Sequence, residues 1–167
     1  MPKKTKRLKA FAGIFIIMFC FYGCGPTISQ FDQYAYTQTT SLKVDVLNVM
    51  DKAVDAYASH ATDVDQVNTE LMKNIEYEKH RAKNQITIDM YNIMWKLLND
   101  NTSITIGRDT FQHGFFPRWQ HKNKLDTTFI GEAKIQVGEG FDMIAELESK
   151  KIQPSESKVQ SFLSRNQ

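Results

Sequence analysis

The chain lacks the short motifs that mark common enzyme classes. It has no G-x-S-x-G nucleophile elbow, no Walker phosphate loop and no H-E-x-x-H zinc pair. Nothing therefore promotes the hydrolase, nucleotide or metalloprotease chemistries built on those spacings. Cysteine stands only at Cys20 and Cys24. No disulfide can be formed within the chain after position 24, so packing must hold the fold there. Neither proline nor glycine interrupts Ile28 to Ala58. No apolar run reaches the ~20 residues that a membrane-spanning helix needs; the longest, Ala10 to Tyr22, has 13. Internal repeats and low-complexity segments are absent too.

What is present begins with a basic head, Lys3, Lys4, Lys6, Arg7 and Lys9, followed by that apolar run and then Gly23-Cys24-Gly25. Positive charge, a short hydrophobic core and a processing site make a secretory signal. A conventional cut before Cys24 would need small residues at 21 and 23, and Phe21 is large. Phe21-Tyr22-Gly23-Cys24 instead resembles the lipobox of bacterial lipoproteins, with Phe21 and Tyr22 bulkier than usual. The resemblance covers residues 1–24 and implies removal of residues 1–23 and acylation of Cys24. The lipid bilayer is then one partner, and the location is the cell envelope. Gly25-Pro26 brings no acid after the cysteine, which under the sorting rule of that class permits the outer membrane, facing the periplasm. An uncleaved anchor and plain secretion are the alternatives.

Removal of the signal leaves 144 of 167 residues, a single-domain length. It also changes the charge. The signal carries five basic residues and no acid, so the remainder has 16 Lys and Arg against 19 Asp and Glu, a net −3. The whole-chain excess of +2 belongs to the signal and argues for no nucleic-acid partner.

The mature chain has helical periodicity. After a tether at 24–27, Ile28, Phe31, Ala35, Thr39, Leu42, Val46, Val49, Ala53 and Ala56 recur at steps of three and four, one stripe on one helix face. Ser59-His60-Ala61-Thr62 reads as a turn. A second helix is expected from about Asp63 to Leu98, its stripe starting Val64, Val67, Leu71, Ile75 and ending Ile88, Tyr91, Trp95, Leu98. Between these, Glu78 to Asn84 is polar, which predicts an exposed middle or long side-chain stems laid on a neighbour. A third helix fits Thr128 to Lys151, with Ile130, Ala133, Val137, Phe141, Ile144 and Leu147 inward and Gly131, Gly138 and Ala145 beside them. Pro154 breaks the chain, and residues 152–167 form a tail or a short helix presenting Val159, Phe162 and Leu163. The fold class is all-α: an elongated bundle over 28–151 with a long antiparallel helix hairpin and a third helix.

The connection at 99–127 is far longer than the ~2–8 residues usual in bundles. Ser103 to Ile106 alternates like a strand, and Gly107 and Gly114-Phe115-Phe116-Pro117 mark turns. Arg108, Phe115, Phe116, Arg118, Trp119, His121, Lys122 and Lys124 concentrate aromatic and basic character there. Two readings compete. The aromatics cap the open end of the bundle and leave the basic groups in solvent, or the whole set is a contact surface for an acidic partner or for lipid headgroups.

No cofactor or metal is expected. Glu76 and His80 stand four apart, whereas bundle metal sites use Glu-x-x-His, and Tyr77 holds the residue three before His80. His60, His113 and His121 would meet only if the long connection gathered them. The expected function is a membrane-anchored, non-catalytic interaction, scaffold or inhibitor protein of the envelope with a protein partner. The alternative is a small envelope enzyme or ligand-binding protein with a pocket between the helices and the 99–127 segment.

Overall fold

The computed structural model describes Ser29, residues 31–106 and 109–150, and Ser161 and Ser164, with side chains outside 104–112 and 150. Residues 1–28, among them Cys24, lie outside the described residues, as do Arg108 and most of the expected C-terminal helix.

The fold is an all-α bundle. Helix α1 spans Gln33–Asp51 and ends in two 3-10 turns, Lys52–Val54 and Tyr57–Ser59. Helix α2 is Ala61–Lys79 and α3 is Gln85–Asn99. A short antiparallel hairpin follows, β1 Ser103–Ile106 on β2 Asp109–Gln112, with Ile104 opposite Phe111. Helix α4 is Phe115–Lys122 and α5 is Thr127–Lys150.

Helix α1 packs on α2 and α5, and α3 packs on the same two. Cross-links show an antiparallel course around the ring. Lys52 pairs with Asp63 where α1 hands over to α2, and the Tyr77 hydroxyl meets Asp32 at the opposite ends of these two helices. Asn99 Nδ2 bonds Asn68 Oδ1, placing the end of α3 beside the first half of α2. On α5, Lys134 pairs with Asp51 while Glu148 reaches the backbone of Asp32.

The apolar stripes fill the centre. Leu42, Val46 and Val49 of α1, Val64, Val67 and Leu71 of α2, Met90, Tyr91, Met94 and Leu98 of α3, and Ile130, Val137, Phe141, Ile144 and Leu147 of α5 are all buried. Phe31 and Ala56, expected in the first stripe, are exposed and half-buried.

Two expectations are corrected. The first helical stripe does not continue as α-helix to Ala56 but gives way to 3-10 turns after Asp51. The continuous helix over 63–98 does not exist: it breaks at His80–Asn84, where Lys83 takes a left-handed conformation (φ 61°). The reason is geometric. A 36-residue helix would be ~54 Å long, almost twice the ~28 Å of α1. Val64–Leu71 can pack beside α1, and Tyr91–Leu98 beside α5, around one core only if the chain reverses between them. The polar segment in between supplies the reversal and is itself partly buried.

Gly114-Phe115-Phe116-Pro117 is likewise not a simple turn. Gly114 caps α4, and Pro117 sits in the first helical turn, where the missing N–H has no intrahelical partner to lose. Gly114 is required by proximity: its N–H donates to Asp100 O at 2.7 Å, and a Cβ there would lie 2.5 Å from Asp100 N. Gly131, by contrast, faces open space, and Gly138 lies against Lys43 and Leu47 of α1.

Val46 is fully buried at the centre of α1. Val46→Asp should remove cooperative unfolding or cost several kcal/mol, since it buries an unpaired charge. Lys43 reaches Asp142 across the surface, and Lys43→Ala should cost at most ~1 kcal/mol. Urea titrations followed by helical circular dichroism measure both.

Candidate functional site

The two ends of the bundle are built differently. At one end α4 closes the core. Trp119 is completely buried, its Nε1 donates to the Asp55 carbonyl at 2.9 Å, and Tyr57 meets it edge-on with centroids 5.3 Å apart. His60 lies tilted against the same indole, its Nδ1 3.2 Å from Asp63 Oδ2. Phe115 and Phe116 are buried, and Phe115 stacks on Phe129. The Asn123 carbonyl accepts from Tyr57 N, and Leu125 N donates to Ala53 O. Asn123 itself is left-handed (φ 64°) at the C-cap of α4, a conformation that asparagine tolerates.

This arrangement corrects the contact-surface reading for three residues. Phe115, Phe116 and Trp119 are core, buried by α4 folding back onto the 3-10 turns, and cannot anchor a partner. Arg118 is half-buried with its guanidinium carbon 4.5 Å from the centre of the Phe129 ring, and burial lowers its pKa. His121, Lys122 and Lys124 are exposed.

At the other end sits a charged cluster that periodicity did not reveal. Arg81 Nη1 donates to Glu78 Oε2 (2.8 Å) and Glu148 Oε2 (3.0 Å), and Nη2 donates to Glu148 Oε1 (3.0 Å). Glu78 and Glu148 are 2% and 3% exposed, so this is a buried, bidentate pairing. Asp32 N donates to Glu148 Oε1 at 2.6 Å, and Asp32 Oδ2 lies 3.7 Å from Arg81 Nε. Asn84 bonds Glu78 and accepts from Ser29 Oγ at 3.1 Å. The cluster around one guanidinium thus joins the entry to α1, the end of α2, the end of α5 and, through Asn84 on Glu78, the entry to α3.

Electrostatics follows from that geometry. Burial pushes the Glu78 carboxyl above its usual value against the pull of Arg81. Burial also opposes the Arg81 charge, but the bonds to Glu148 and Glu78 outweigh it and raise the pKa. The Tyr77 hydroxyl holds Asp32 below the usual carboxylate range, and Tyr77 is itself pushed up to about 12. One layer inward, the Tyr91 hydroxyl and Thr39 Oγ1 bond at 2.7 Å in full burial. The sequence signal for the cluster was the polar run Glu78 to Asn84, which looks the same whether it faces solvent or a buried partner.

Among the described residues, two grooves open on the flanks. One, of about 520 Å³, lies between α2 and α3 along Met72, Ile75 and Trp95. The other, of about 410 Å³, lies between α1 and α5 along Leu47, Ile130 and Ile135. Among the described residues, no three His, Cys, Asp or Glu side chains form a group able to hold a metal ion, and no helix is long and apolar enough to cross a membrane. Glu76 Oε1 and His80 Nε2 meet at the surface, 3.2 Å apart.

Trp119→Ala should cost ~3–5 kcal/mol in stability, as for other large core truncations, measured by urea unfolding. Asp32→Asn keeps the helix cap but loses the ionised partner of Tyr77 and Arg81. The depressed Asp32 pKa contributes stability above the ordinary carboxylate range that is lost as pH falls through the folded value. The variant should therefore unfold more easily at neutral pH and show a shallower loss in acid, read from melting temperatures between pH 7 and about 3.

No known protein family, curated protein or solved structure matches this chain.

Proposed function

We propose that the chain is an exported bacterial lipoprotein, held to an envelope membrane through acylated Cys24, that acts there as a non-catalytic interaction, scaffold or inhibitor protein. The observation that carries this reading is the N-terminal pattern: five basic residues, a 13-residue apolar run and Gly23-Cys24, five positions before Ser29. Ser29 already belongs to the folded domain through Asn84. The lipid and the bundle are thus separated by a very short tether.

Such a tether gives the bundle a direction. The Arg81 cluster stands next to the bilayer, and the α4 end points away from it. Helix α5, at 24 residues, carries that end ~36 Å along the bundle axis. His121, Lys122 and Lys124 are then the candidate contacts for an acidic protein partner, with Arg118 braced on Phe129 behind them. An exported, membrane-held location argues against nucleic acid as the partner. Charged rim residues of this kind set encounter rate and orientation more than affinity.

One acyl chain gives only marginal membrane binding, whereas two or three make a stable anchor without a membrane-spanning helix. Intact mass spectrometry of the wild-type protein should find a chain starting at Cys24 that carries diacylglyceryl and amide-linked acyl mass. Cys24→Ser should retain residues 1–23 and carry none. A wild-type chain starting at Cys24 without lipid mass would remove the anchor from this reading.

A further inference from the structure

We infer that the end of the bundle nearest Cys24 is a bilayer-docking platform, formed by Phe31, Tyr34, Tyr77 and Ile86, that seats on the phospholipid headgroup region and fixes the orientation of the bundle. The inference rests on the anchoring reading above and adds a second, non-covalent attachment to it.

The distribution of exposed apolar groups points there. Phe31 is 47% exposed, Tyr34 54%, Tyr77 37% and Ile86 42%. Among the side chains described, the three aromatics of this set are the only exposed aromatic residues. All four positions fall within about one helical turn of the same end. Phe31 precedes α1, Tyr34 is in its first turn, Tyr77 is in the last turn of α2, and Ile86 is in the first turn of α3. The other exposed large apolar residues, Val44, Val54, Met72 and Ile135, are dispersed along the helices.

The platform is pre-organised. The Tyr34 and Tyr77 rings pack with centroids 5.0 Å apart, and the Tyr77 hydroxyl is held by Asp32. Asp32 is in turn fixed by the Glu148 and Arg81 cluster. Three acids of this end are paired with cations or histidine, Glu78 and Glu148 with Arg81 and Glu76 with Lys79 and His80, and Asp89 accepts from Gln85. Amphipathic rings with one wet edge, flanked by lysine, suit the headgroup level of a bilayer.

Chain length selects the occupant. Five residue steps separate Cys24 from Ser29 and span at most ~18 Å, so an acylated Cys24 keeps this end within reach of the bilayer at all times. A second copy is the competing occupant. A stable dimer buries ~800 Å² on each partner, more than a four-residue rim supplies.

The test uses the full chain, produced and acylated in a bacterium and reconstituted into vesicles of phosphatidylethanolamine and phosphatidylglycerol. Gln33 and Gln120 are both exposed. Either can be changed to cysteine and spin-labelled, because Cys20 leaves with the signal and Cys24 is blocked by lipid. The label at 33 should show headgroup depth by oxygen and nickel-complex accessibility, and the label at 120 should be aqueous. Phe31→Ser with Tyr34→Ser should move the label at 33 into water while the bundle stays folded, read from an unchanged helical circular dichroism spectrum and a melt that is still cooperative. A label at 33 as water-accessible as that at 120, or one unmoved by the double substitution, overturns the platform and leaves the anchor standing. Spin–spin broadening at 33 that survives dilution in lipid makes the face a contact between copies and overturns it too. A chain without acyl mass overturns anchor and platform together.

Discussion

A single guanidinium sets the architecture. Arg81 lies in the turn between α2 and α3, and its donors converge on Glu78 and Glu148. Burying an ion pair costs several kcal/mol per charge unless the geometry is very good and the remaining groups are bonded. Here the fork of Arg81 matches the Glu148 carboxylate with two parallel bonds, and Asn84, Ser29 and the Asp32 backbone occupy the remaining positions. Lysine, a point charge on a flexible stem, could not replace this fork. Replacing a buried pair of this kind by packed apolar groups is often neutral in stability, so what the cluster visibly supplies here is placement. It gives the reversal between α2 and α3 one position, and it brings the first residues of the domain onto the last turns of α5.

The reversal explains which part of the fold was legible in the sequence. The stripes through Leu42, Val46 and Val49, through Val64, Val67 and Leu71, and through Val137, Phe141 and Ile144 follow helical spacing and are buried as that spacing requires. Ser103 to Ile106 alternates and is a strand. The break at His80 to Asn84 was not legible, because a polar run has the same spelling in a solvent-facing helix and in a buried ion network. The information that separates them is held by Glu148, 67 residues beyond Arg81. The 3-10 ending of α1 was hidden for a similar reason: Ala53 and Ala56 continue the helical stripe, while the constraint comes from Asn123 and Leu125 bonding back to Tyr57 and Ala53.

The aromatic, basic connection illustrates how composition and burial diverge. Phe115, Phe116 and Trp119 stand among Arg118, His121, Lys122 and Lys124, and both a capping role and a docking role fit that composition. What decides between them is a partner 64 residues earlier: the Asp55 carbonyl accepts the Trp119 indole N–H. A buried indole needs such an acceptor, and finding one is what permits full burial. The basic residues remain outside because Lys122 and Lys124 flank the left-handed Asn123, where the chain turns away from α4 toward α5.

The same logic changes which end of the molecule carries its aromatic surface. A bundle has two ends at which helix termini and loops leave the core open, and each must be closed by something. One end is closed by rings, with Trp119 under Tyr57 and Phe115 against Phe129. Rings used in this way are withdrawn from the surface. The other end is closed by charge, and the ion cluster fills the space between helix ends that rings fill at the first end. Tyr34 and Tyr77 therefore pack on each other at the rim, with Asp32 holding one hydroxyl. The position of the buried ion cluster thus determines the position of the exposed aromatics, and it puts them at the end of the domain that the sequence joins to Cys24.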